Sequence, residues 1–150
     1  MPVTSPWNIP LVGDTDPIAP IQNLFNGQAN ALNAALDSIA ADTGWLSLPL
    51  NSGFIARPSN PAPQYRRIGK LVRLRGQVQP TSGNFTSSNP IVGVIPGALG
   101  PSVYSVFAGG GGGVTMRLTI GTGGQVQCAP MDAAASSAYA DLAAISFWVD

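Results

Sequence analysis

The pattern of apolar and polar positions changes twice along the chain, and each regime predicts a different kind of element. Between residues 17 and 43, Ile18, Ile21, Phe25, Gln28, Leu32, Ala35 and Ile39 follow one another at steps of three and four. This is an unbroken heptad spacing, with Ile18, Phe25, Leu32 and Ile39 at a and Ile21, Gln28 and Ala35 at d. Leu24 and Ala31 at g, and Ala29 and Leu36 at e, widen the stripe. Asp16 suits an N-cap, Pro17 the first helical position, and Gly44 a stop. The spacing predicts a helix over 17–43, roughly 33 Å long.

Ahead of the helix, residues 1–16 place Pro2, Pro6 and Pro10 among Trp7, Ile9, Leu11 and Val12. Proline fixes φ and removes a donor, so this leader reads as an extended strap. It reads either as a floppy terminus or as an anchor whose side chains Trp7, Ile9 and Leu11 dock in a groove or on an edge strand of another protein. From Trp45 onward the period becomes two. Val72, Leu74, Gly76 and Val78 alternate with Arg73, Arg75 and Gln77; Met116, Leu118 and Ile120 alternate with Thr115, Arg117 and Thr119; Val126 and Cys128 alternate with Gln125 and Gln127. The run over 144–149 reads as a closing strand, and turn signals such as Pro96-Gly97, Gly100-Pro101 and Gly121 to Gly124 separate the strands. Residues 45–150 are therefore expected to form an antiparallel β-sandwich, jelly-roll-like, making the chain mainly β.

The helical stripe has two readings. An amphipathic helix can lie on its own domain, or it can pair with copies of itself. A stripe widened to e and g suits bundles of three or more helices. Gln28 in mid-seam favours self-association as well, since equivalent amides there can bond one another. Three heptads are short, so the body has to contribute to any assembly.

Composition narrows the chemistry. The 150 residues include 18 Gly and 14 Pro, which suits many turns, and 45% are apolar, enough for a packed core. Only 9% are charged, with seven basic and seven acidic side chains; all the acids are Asp, and there is no His. The commonest general base and metal ligand is thus missing, and one cysteine, Cys128, makes no disulfide framework and no thiolate metal site within a chain. Cys128 falls on the apolar face of its strand, as a small packed hydrophobe would. Zero net charge argues against broad nucleic-acid binding, no apolar run approaches a membrane span, and the N-terminus does not read as a signal peptide.

Local motifs reduce to structure. Gly109 to Gly113 lacks the following helix and Lys of a phosphate loop, because Val114 to Leu118 alternates as a strand; it reads as a flexible hairpin or inter-strand loop. Arg57, Arg66, Arg67, Lys70, Arg73 and Arg75 crowd into nineteen positions, and read as a solvated or inter-subunit sheet face. Asp14 and Asp16 belong to a helix N-terminus, and Asp132, Asp141 and Asp150 to loops or the chain end, so no pair is marked for glycoside hydrolysis. No catalytic residue, metal site or cofactor is expected. Tyr104, Phe107 and Tyr139, beside Gly-, Ser- and Ala-rich segments, read by default as core packing and otherwise as the candidates for stacking on a ligand such as a sugar ring.

One resemblance adds to this reading. Trp45-x-x-Leu48-x-Leu50-x-x-Gly53-Phe54 and Gln64-Tyr65-Arg66-Arg67-Ile68-Gly69-x-x-Val72-x-Leu74-Arg75-Gly76-x-Val78 resemble the head domain of bacteriophage tail-fibre and minor tail proteins. Ile95-Pro96-Gly97 is similar to a turn of that family, although the family's following Tyr is absent, and Ile145-Ser146-Phe147 is similar to its closing strand. The resemblance implies a virion protein made in the host cytoplasm: a homotrimer with a three-helix coil, an N-terminal strap gripping other virion proteins, and outward heads that meet the host surface, a cell-surface glycan included. It brings no catalytic residues. A trimeric capsid decoration or head fibre is the alternative of the same build, and a carbohydrate-binding module is a more distant one.

Overall fold

The computed structural model describes residues 3–4, 9–10 and 19–149 of the chain. The chain divides into two compact units, 1–41 and 42–150. In the first, the two-residue strands β1 (Val3–Thr4) and β2 (Ile9–Pro10) pair antiparallel, and the helix α1 (Ala19–Ala40) runs beside them. Trp7, Leu11, Asp16, Pro17 and Ile18 lie outside the described residues, as do the side chains of Ile9 and Ile21.

The helix ends three residues before its expected stop, for a visible reason. Its last α-type bond runs from Ala41 N to the Asp37 carbonyl at 2.9 Å. Beyond it the chain is taken up by a strand: Thr43 N donates to Arg67 O at 3.0 Å, and Arg67 N donates back to Thr43 Oγ1 at 3.0 Å. Gly44, at φ +63°, serves this turn rather than the helix end, its N–H donating to Asp42 Oδ1 at 2.9 Å. Along α1, the covered side carries Asn26, Ala29, Asn33 and Leu36, whereas Phe25, Leu32 and Ile39 on the heptad seam are 54%, 52% and 70% exposed. Gln28 and Ala35 of the seam are exposed too.

The second unit is an antiparallel β-sandwich. One sheet has the order β13 (Ser146–Trp148), β6 (Leu71–Arg75), β5 (Gln64–Ile68), β3 (Leu46–Ser47). A second, three-stranded sheet joins β12 (Ala140–Asp141), β7 (Gln77–Pro80) and β4 (Phe54–Ala56). The third has the order β8 (Ile91–Val94), β11 (Gln125–Pro130), β10 (Val114–Ile120), β9 (Ser105–Gly111), a Greek-key arrangement. Their inward faces meet in one core. Val72 and Leu74 come from the first sheet, Val78 and Ala140 from the second, and Met116, Leu118, Ile120, Val126 and Cys128 from the third.

One expected element is built differently, and one open reading is decided. The alternating run over 71–78 is not one strand: Gly76 adopts φ +93° and turns the chain from β6 into β7, moving it from one sheet to the next. A Cβ at Gly76 would also collide with the carbonyl of Ala62, so this bend admits only glycine. Of the two readings of Gly109 to Gly113, the structure gives the hairpin. Its first three residues extend β9, and Gly112 and Gly113, at φ +53° and +84°, form a two-residue hairpin turn into β10.

Candidate functional site

The site is a seam along β9, built by glycines and by the chain end. β9 is an edge strand, and segment 139–148 passes its free edge in the opposite direction. At the middle the two are pressed together. A Cβ at Gly111 would meet the carbonyl oxygen of Tyr139, and one at Gly109 would meet the Leu118 side chain and the Asp141 carbonyl. Toward each end of β9 the seam opens into a groove.

The groove at the start of β9 has a volume of about 520 Å³ and lies between Ser102, Val103, Ser105 and Phe107 on one side and Ser146 and Trp148 on the other. Trp148 reaches it through strand parity. Ile145, Phe147 and Val149 point into the core, which leaves the indole outward and 70% exposed. No ionisable side chain lines this groove. It therefore presents a broad aromatic face and serine hydroxyls, a set that matches an uncharged ligand carrying both C–H and O–H groups.

The groove at the other end, about 600 Å³, is lined by Gln77, Gly110, Thr115, Tyr139, Asp141 and Ala143, among others. Its polar groups form a chain. Arg57 lies over the Tyr139 ring at 3.7 Å from its centroid and donates to Gln77 Oε1 at 2.9 Å. Gln77 Nε2 donates to Asp141 Oδ2 at 3.1 Å, while Asp141 Oδ1 accepts the Ala143 N–H at 2.9 Å, capping the short 3-10 turn Leu142–Ala144. The carboxylate of Asp141 is the one ionised group lining either groove.

Val106, at the first groove, Ala108, and Gly110, at the second, share the exposed face of β9, opposite the face on which Gly109 and Gly111 meet segment 139–141. Gly110 is the member of the glycine run that packing does not explain: its φ is ordinary, and an added Cβ would meet nothing within 4 Å. A glycine inside a strand costs about 0.5–1 kcal/mol relative to alanine, and it commonly marks close approach by another group.

Of the three aromatic candidates read from sequence, Phe107 and Tyr139 are brought to this seam, one at each end. Tyr104 stands apart, over a hollow of about 340 Å³ with Ile91, Gln125 and Gln127. There its hydroxyl is 3.4 Å from Gln127 Oε1, which also accepts from Thr119 Oγ1 at 3.0 Å and Asn89 Nδ2 at 3.1 Å. Trp148 was missed as a site residue, although the alternation of Ile145, Phe147 and Val149 already pointed it outward.

The arginine cluster is largely structural. Arg66 forms a two-pronged ion pair with Asp42 and lies over Trp45, and Arg75 covers the same indole at 4.1 Å while donating to Gln64 Oε1 at 2.9 Å. The Arg66 guanidinium, with help from the Gly44 N–H, lowers the Asp42 carboxyl to about 2. Cys128 is buried, and burial pushes its thiol up, away from the reactive thiolate. Among the described residues there is no cluster of three metal-ligating side chains, and no helix is long and apolar enough to cross a membrane.

No protein-family model and no curated protein matches the chain. Among solved structures, the crystal structure of the receptor binding protein (gp15) of Listeria phage PSA is similar, with a TM-score of 0.59 at 14% identity. The match covers 91% of this chain and 82% of that one, so the two share a fold over most of their lengths.

Proposed function

We propose that the chain is a non-enzymatic attachment protein of a bacteriophage virion, working as a short homotrimeric tail or baseplate fibre. In this reading α1 forms the three-helix coil, residues 1–16 grip other virion proteins, and the sandwich faces outward and meets a glycan of the host surface through the β9 seam. The observation that carries the proposal is the shared fold with a phage receptor binding protein over 91% of the chain. Two features support it further. Among the described residues of the heptad seam, Phe25, Gln28, Leu32, Ala35 and Ile39 are all exposed, as on a helix awaiting copies. The open grooves lie on the unit that the head motif covers.

The experiment is immunogold labelling of virions with an antibody raised against residues 42–150, together with staining of host cells by the purified protein. Gold at the tail end and stained cells are expected. Gold over the capsid shell overturns the tail assignment, and staining of cells by a protein absent from particles leaves a carbohydrate-binding module.

A further inference from the structure

We propose that the Trp148 end of the seam binds a sugar bearing one oxyanion, a carboxylate or a phosphate, with its ring in the groove and its charge on Arg73. This rests on the attachment reading above and deepens it by naming the charge of the ligand and the residue that meets it. The register of the first sheet brings the parts together. Ser146, Arg73 and Arg66 lie directly opposite one another across β13, β6 and β5, and Trp148, Leu71 and Ile68 form the next row. Phe147, Val72, Leu74 and Tyr65 are buried, so both rows stand on the outer face, where Arg73, Ser146 and Trp148 are exposed. Directly opposed side chains in such a sheet are about 5 Å apart at Cβ, and diagonal ones, such as Arg73 and Trp148, about 7–8 Å. One sugar can therefore touch Arg73, Ser146 and Trp148 together.

Three arginines, Arg66, Arg73 and Arg75, share this outer face, and two have partners in the fold. Arg66 holds Asp42, and Arg75 covers Trp45 and donates to Gln64. Among the described residues the Arg73 guanidinium has no hydrogen bond, ion pair or ring contact. It also stands directly opposite Arg66, where a like charge is destabilising. The fold thus keeps a cation in an unfavourable place and provides no anion for it. The groove supplies the rest of the site. No ionisable group lines it, so it takes the uncharged body of a sugar, while Ser146 on its rim leads to Arg73. Lys70, whose carbonyl accepts from Val149 N at 2.8 Å, adds a second cation at the same corner. The other groove suits an anion less, since Asp141 lines it and Arg57 is already engaged with Tyr139 and Gln77. Arg117 also lacks a partner among the described residues, but its cross-strand neighbours, Ala108 and Ala129, bring no ring.

The test measures staining of host cells by the full-length protein in competition with soluble polygalacturonate, poly(glycerol phosphate) and neutral dextran. Competition by polygalacturonate identifies a carboxylate, competition by poly(glycerol phosphate) identifies a phosphate, and dextran should have no effect. Arg73→Gln should weaken staining by about tenfold to a hundredfold, the loss of one charge-assisted pair, and should melt no lower than the native chain. Arg73→Lys, which keeps the charge without the fork, should fall between the two, and Trp148→Ala should weaken staining as well. Raising the salt from about 0.15 M to about 1 M should weaken the native protein and leave Arg73→Gln unaffected. Unchanged staining by Arg73→Gln overturns the site, and so does an equal loss in Arg117→Gln, which would show a general positive field. Stained cells with no competition by either acidic polymer, or with equal competition by dextran, overturn the ligand class while the attachment reading stands. Cells left unstained overturn both. A changed solution mass in Arg73→Gln or Trp148→Ala would make this corner a contact between copies of the chain, and would overturn the proposal too.

Discussion

Replacing Phe25 by Asp is the most direct challenge to the coil. Full burial of a large apolar side chain contributes about 1.5–3 kcal/mol. Phe25, Leu32 and Ile39 are each half exposed or more in the single chain, and so is Leu24. Covering what remains is worth about 1 kcal/mol for each, or about 4–5 kcal/mol per chain. Association opposes this with a loss of freedom of similar or larger size, about 4–15 kcal/mol, so a coil of this length has little margin. Phe25→Asp removes one of the four contributions and places a carboxylate from every chain in the same dry seam. An uncompensated buried charge costs about 3–5 kcal/mol, more than the seam can absorb. Light scattering at micromolar concentration should give about 46 kDa for three native chains of 15.4 kDa each, and 15.4 kDa for the variant. Phe25→Leu, which keeps the apolar seam, should remain trimeric. A Phe25→Asp protein of native mass would show that the heptad face takes no part in assembly.

Two further outcomes test the body. Gly76 and Gly53 share φ +93°, but only Gly76 has a carbonyl where a Cβ would go; Gly53→Ala should therefore cost about 1–2 kcal/mol of backbone strain and Gly76→Ala clearly more, as read by thermal unfolding. The Asp42 carboxyl is lowered from 3.8 to about 2 in the folded chain, so the stability it contributes is complete above pH 3.8 and lost as pH falls toward 2. Acid unfolding of Arg66→Ala should accordingly show a deficit at pH 5 that closes by pH 2, and a deficit that does not change with pH would rule the ion pair out as its source.

What the sequence disclosed depended on how local each cause is. Strand parity is local, and it placed Val72, Leu74, Val78, Met116, Leu118, Ile120, Val126 and Cys128 on inward faces, where all eight are buried. It was blind to Gly76, because a bend between sheets leaves the alternation on either side undisturbed; the reason for that glycine is the Ala62 carbonyl, fourteen positions away. The end of α1 was misplaced for a related reason. Asp42 and Thr43 do suit a helix terminus, but β5 binds them before the helix can use them.

The glycine run shows most clearly why the site itself was hidden. Read as letters, Gly109 to Gly113 are equivalent, and five together suggest a loop. In the fold they separate by cause: Gly109 and Gly111 admit the passing 139–148 segment, and Gly112 and Gly113 adopt the left-handed turn. Gly110 has neither reason: a Cβ there would point to the exposed face of β9, into open space. That distinction between Gly110 and its neighbours exists only once the other four have been accounted for.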